Sequence, residues 1–105
     1  MAQRQRREEL HEILTGFLPV GKKAYFQPPE NVKMEFPCIV YERDFASTQF
    51  ANNFPYRHHL RYQVTVISRD PDNEIRDKVE QLPMCLFKRH FTADDLHHDV
   101  FDLYF

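Results

Sequence analysis

Two hydrophobic periods organise this chain. Between Glu8 and Leu18, apolar side chains recur at Leu10, Ile13, Leu14, Phe17 and Leu18, the spacing of one helical stripe. Glu8, Glu9 and Glu12 are placed early, where the helix dipole favours acids, while Gly16 weakens the end and Pro19 stops it. From Arg57 to Arg69 the period is two. Leu60, Tyr62, Val64 and Val66 fall on one face; Arg57, His59, Arg61, Gln63 and Thr65 fall on the other, joined by Ile67 and Arg69. That alternation predicts a strand with one buried and one largely wet face. Cys38, Ile39, Val40 and Tyr41 are apolar on both alternating sets, which predicts a strand over Pro37 to Asp44 covered on both sides.

The remaining segments fill in around these. Lys22 to Gln27 reads as a short strand closed by Pro28-Pro29, and the polar, proline-rich stretch up to Phe36 as a loop. Asp70 followed by Pro71 reads as a cap and first helical position; Ile75, Val79 and Leu82 give that second helix its stripe, and Pro83 ends it. Met84 to Phe91 and Val100 to Phe105 read as two last strands around an acidic turn near Asp94-Asp95. Phe45 to Tyr56 is rich in Ser, Thr, Gln and Asn yet carries Phe45, Phe50, Phe54 and Tyr56, and reads as a long hairpin arm. The expectation is one α+β domain, with two helices on one face of an antiparallel-rich sheet.

Composition narrows the function classes. The 105 residues suit one domain, and 42% hydrophobic with 29% charged residues suits a globular chain. No apolar run exceeds four residues, as in Cys38 to Tyr41, so a membrane span and a secretion signal are not expected. Cys38 and Cys85 therefore read as reduced, buried thiols of a cytoplasmic protein. Fourteen basic and sixteen acidic side chains leave a net charge of −2, without the basic excess of a dedicated nucleic-acid binder. Charge is nevertheless segregated. Arg4, Arg6 and Arg7 open the chain, Arg57, His58, His59, Arg61 and Arg69 form a basic block, and Asp94, Asp95, Asp99 and Asp102 dominate the end. Opposite patches of this kind suit self-association. Two glycines, Gly16 and Gly21, fit no phosphate-cradling loop, which excludes the usual nucleotide enzymes.

Candidate chemistry is sparse. The adjacent pairs His58-His59 and His97-His98 point to opposite faces of a regular strand, and so do Cys85 and His90. His97, His98 and Asp99 read as lying in or near a turn, and neither a metal nor a cofactor is expected. Asp94-Asp95 and the pair Asp70 and Asp72 have capping and turn work to do. No Ser/His/Asp or Cys/His motif has a recognisable context, so the expectation is not an enzyme. Arg57, His59, Arg61 and Arg69 could face nucleic acid, but Tyr62 falls on the buried set and no base-stacking or GXXG motif accompanies them. The aromatics are the fuller signal. Ten Phe and five Tyr are hard to hide in a fold this small. Phe17, Phe26, Phe87 and Phe91 are assigned to the core. Phe45, Gln49, Phe50, Phe54, Tyr56, Arg57, Arg61, Tyr104 and Phe105 are assigned to an interface between copies.

Three landmarks carry a family resemblance: the amphipathic N-terminal helix, the strand FPCIVYERD from Phe36 to Asp44, and the strand-then-helix RYQVTVISRDPDNEIRDKVEQL from Arg61 to Leu82. In their order, and in the arm between the two strands, the chain resembles the tail terminator (tail completion, head-to-tail joining) proteins of long-tailed bacteriophages. The resemblance implies a non-enzymatic virion protein, assembled in the host cytoplasm into a ring, generally hexameric. Such a ring caps the tail tube protein, meets the head connector, and passes DNA through its lumen without reading it. The alternative is a small nucleic-acid-binding or regulatory domain that uses the basic strand from Arg57 to Arg69.

Overall fold

Leu10 and Leu14, one turn apart, are completely buried, and they anchor helix α1 (Gln3–Gly16) on the sheet. The computed structural model describes residues 3–29, 32–43 and 60–105. Helix α1 starts well before its apolar stripe, so Glu8, Glu9 and Glu12 lie beyond its first turn. Cation–π contacts account for the added length: the Arg6 guanidinium lies 5.0 Å from the Phe105 ring centre and Arg7 lies 4.6 Å from that of Phe26. At the other end, the N–H groups of Phe17 and Leu18 donate to the carbonyls of Leu14 and Thr15, both at 3.1 Å, a tightened last turn ahead of Pro19.

Strands β1 (Ala24–Phe26), β2 (Cys38–Arg43), β3 (Arg61–Ser68), β4 (Cys85–Ala93) and β5 (Leu96–Tyr104), with helix α2 (Glu74–Glu80), complete the architecture. The sheet runs β1-β2-β3-β5-β4. β1 joins β2 in parallel, with Ala24 opposite Ile39, and the other pairings are antiparallel. Ile39, Tyr41, Tyr62, Val64, Val66, Phe101 and Leu103 share one core with Leu10 and Leu14 of α1 and Ile75 and Val79 of α2. Both helices therefore cover the same face, and the α+β expectation holds. Each large side chain buried there contributes roughly 1.5–3 kcal/mol. The Tyr41 hydroxyl, deep in this layer, is satisfied by His11 Nδ1 at 2.7 Å.

Several expectations need correction. Helix α2 is capped by Asn73, whose Oδ1 accepts the Arg76 N–H at 2.9 Å. Asp70 instead closes a turn ahead of the helix, accepting the Asp72 N–H at 2.9 Å, and Pro71 lies inside that turn. The helix ends with Gln81 as its C-cap, before Pro83. The second face of β3 is half-buried, not wet, because β3 is central and flanked on both sides; Ile67 there is fully covered. Phe17 and Phe26 do pack on the core, whereas Phe87 and Phe91 are 42% and 40% exposed on the edge strand β4. β5 begins at Leu96, earlier than Val100, because Asp94 and Asp95 form a two-residue hairpin turn. Their φ values of 54° and 64° are the paired left-handed conformations of a type I′ turn. His97, His98 and Asp99 are thus inside a strand. The arm from Phe45 to Tyr56 lies outside the described residues. Among those described, no helix is long and apolar enough to cross a membrane.

Candidate functional site

Three of the interface residues expected from sequence, Arg61, Tyr104 and Phe105, come together at one end of the sheet. Arg61 is paired with Tyr104 across β3 and β5, and Leu60 and Phe105 exchange backbone hydrogen bonds of 3.1 and 3.0 Å. Phe105 packs against the core beneath Arg6. The C-terminus therefore has partners within its own chain. Arg61 is occupied as well. Its Nη2 lies 3.0 Å from Asp102 Oδ2, with the two side chains only 14% and 21% exposed. Lys88 approaches the same carboxylate at 3.9 Å. Phe45, Gln49, Phe50, Phe54, Tyr56 and Arg57 lie outside the described residues. Beside this end, Arg6, Ile13, Leu82, Met84, Leu103 and Phe105 line a mostly apolar pocket of about 350 Å³.

β4 supplies a surface that sequence reading did not assign. It is the edge strand, and every residue after Cys85 in it is exposed. Leu86 and Phe91, 69% and 40% exposed, lie on the face away from the helices, while Phe87, 42% exposed, lies on the helix face against Phe101. A bulge divides the strand: Phe87 is opposite Phe101, and Arg89 is opposite Val100, leaving Lys88 as the extra residue. Lys88 and Arg89 consequently lean to the same side. Lys88 reaches Asp102, and Arg89 lies 5.6 Å from the Phe91 ring centre, which itself stacks on His98 at 4.5 Å. The bulge also overturns the expectation for Cys85 and His90. They are opposite Leu103 and Asp99, and so face the same side, that of the helices.

On that helix side the hairpin gathers Asp99, His90, His97 and Arg76. Asp99 is 3% exposed, and its Oδ1 lies 2.7 Å from His90 Nδ1 and 3.5 Å from Arg76 Nε. Arg76, on α2, also lies 5.2 Å from the Phe87 ring centre and 3.7 Å from Glu80. No group of three or more His, Cys, Asp or Glu among the described residues is arranged to hold a metal ion. The signal for this cluster was present in the sequence: reading Asp94-Asp95 as a tight turn places His97 opposite Thr92. The bulge had no such signal.

The cysteines are chemically quiet. Burial pushes the Cys38 thiol up to about 12, and burial, with the nearby Glu80 and Asp102 charges, pushes Cys85 up to about 11. Neither is a thiolate nucleophile near neutrality. No family model, no curated protein and no solved structure matches this chain.

Proposed function

We propose that the chain is a non-enzymatic structural subunit that assembles with copies of itself into a ring. In that reading it is a tail-terminator-like virion protein at the head-tail junction, contacting the tail tube protein and the head connector. The observation that carries self-assembly is the exposure of large apolar side chains on the nine-residue edge strand β4, Leu86 at 69% and Phe91 at 40% on one face and Phe87 at 42% on the other. Leaving such side chains in water forgoes roughly 25 cal/mol for each Å² that a neighbour would cover. The bulge and the charges at Lys88 and Arg89 interrupt backbone pairing along this edge, and such devices block open-ended strand addition. Contact through side chains, in a fixed rotation about the ring axis, is the alternative that closes. Support for the tail reading comes from the landmarks behind the resemblance, which form α1, β2 and the β3–α2 unit in one continuous core.

Light scattering on the purified chain, alone and with tail tubes, tests this directly. The expected result is a mass several times 12.7 kDa and rings in negative stain. A monomer under both conditions overturns it. The nucleic-acid reading loses its central cation, because Arg61 is already paired with Asp102. Steeply salt-dependent DNA binding by a monomer would restore that reading.

A further inference from the structure

We propose that His90 and His97 form a two-histidine site for a zinc-class divalent cation across the β4–β5 hairpin, with Asp99 orienting His90 from behind. The site is independent of the assembly reading.

Two distances on the page carry it. His90 Nε2 and His97 Nδ1 lie 3.4 Å apart, and the two ring centres lie 5.4 Å apart with 29° between the planes. Two imidazole nitrogens each about 2.1 Å from one tetrahedral zinc are themselves about 3.4 Å apart, with ring centres about 5.3 Å apart. Both observed distances match. At 3.4 Å the contact between these nitrogens is a long hydrogen bond, one that a cation between them would replace.

The surroundings prepare the same pair. A carboxylate oxygen only accepts, so Asp99 Oδ1, 2.7 Å from His90 Nδ1, holds the ring proton there and leaves Nε2 as a lone pair facing His97. This carboxylate–histidine–cation order recurs in metal sites. Asp99 is itself held in place by burial and by Arg76 at 3.5 Å. The His90 side chain is 40% exposed, so a cation can enter from solvent and keep its remaining positions for water or an outside carboxylate. Borderline nitrogen ligands of this kind favour zinc or cobalt over magnesium or calcium.

The test uses the full chain titrated with Zn²⁺ by calorimetry and with Co²⁺ by visible absorption. One equivalent should bind, and the Co²⁺ absorption should shift from that of the aqueous ion as imidazole nitrogens replace water. His97→Asn, at a half-exposed position, should weaken Zn²⁺ at least about tenfold, and Asp99→Asn by about 10–100-fold. His98→Asn, whose ring stacks on Phe91 on the other side of the sheet, should bind as the parent does. A parent chain that binds no Zn²⁺, a His97→Asn chain that binds as well as the parent, or equal loss in His98→Asn each overturns the site. Circular dichroism melts of each variant confirm that the titrated chains are folded.

Discussion

β3 and β4 belong to one sheet, differ by one residue in length, and live in different solvents. Along β3, Tyr62, Val64 and Val66 are buried under the helices, and Arg61 on the other face is paired with Asp102. Along β4, Leu86, Phe87 and Phe91 are exposed although they are larger or no less apolar. Hydrophobicity alone therefore does not locate the core. Position in the sheet does: β3 is flanked by β2 and β5, while β4 has a neighbour on one side only. Apolar side chains that the fold itself leaves uncovered are the ones available for a second molecule.

The largest expected effect breaks the buried side of this contrast. Phe101→Ala, on the central face opposite Phe87, should cost about 3–5 kcal/mol in urea unfolding. A loss under 1 kcal/mol would mean the core is not where the contacts place it.

Alkali should come next. The Cys38 and Cys85 thiols, pushed up to about 12 and about 11, stay protonated in the fold, whereas in the unfolded chain they ionise near 8.5. Burial also raises the Tyr41 hydroxyl. The unfolded state then releases protons that the fold retains, so the stabilisation is complete below about pH 8.5 and is lost as pH rises through 11 and 12. A chemical-denaturation series should show stability falling steadily across that window. Replacing both cysteines with Ala should flatten the fall at a modest cost at pH 7 and leave assembly intact.

Smaller still is the hairpin turn. Asp95→Gly, at φ 64°, should stabilise the chain by no more than about 1 kcal/mol, because relief of left-handed strain is partly offset by glycine's greater freedom in the unfolded chain. The smallest stability change sharpens the exposed side of the contrast. Leu86→Ser, at the most exposed apolar position of β4, should move the melting midpoint by the equivalent of no more than about 0.5 kcal/mol, while abolishing the proposed ring. Phe50→Ser with Phe54→Ser should likewise spare the subunit and remove ring formation or tail attachment. If either variant unfolds the chain, the replaced side chains belong to the core; if either assembles normally, that segment is not the contact.

Much of the fold could be read along the chain because its two periods are long. The stripe through Leu10 and Leu14 and the alternation through Tyr62, Val64 and Val66 both end in the same core. The cap of α2 is not legible in sequence, because Asp70, Asn73 and Pro71 each carry a local signal and only packing decides which turn of chain becomes helix. The edge status of β4 could not be read at all. Strand order is a long-range property, and Phe87 and Phe91 look like core residues until their neighbours are known. The residues expected at the interface are split: Arg61, Tyr104 and Phe105 meet at one sheet end, while the exposed apolar side chains appear on a strand assigned elsewhere.

Lys88 deserves a different description, as a spelling error that the sheet tolerates. Because Phe87 and Arg89 already occupy successive rungs opposite Phe101 and Val100, excising Lys88 would leave every other rung of the ladder matched as it is. An insertion or deletion beyond this bulge, between His90 and Asp94, would exchange inside for outside, carrying His90 away from Asp99. This strand should therefore drift in length through evolution at one letter only, and in related chains that letter should come and go while the histidines on either side of the turn keep their places.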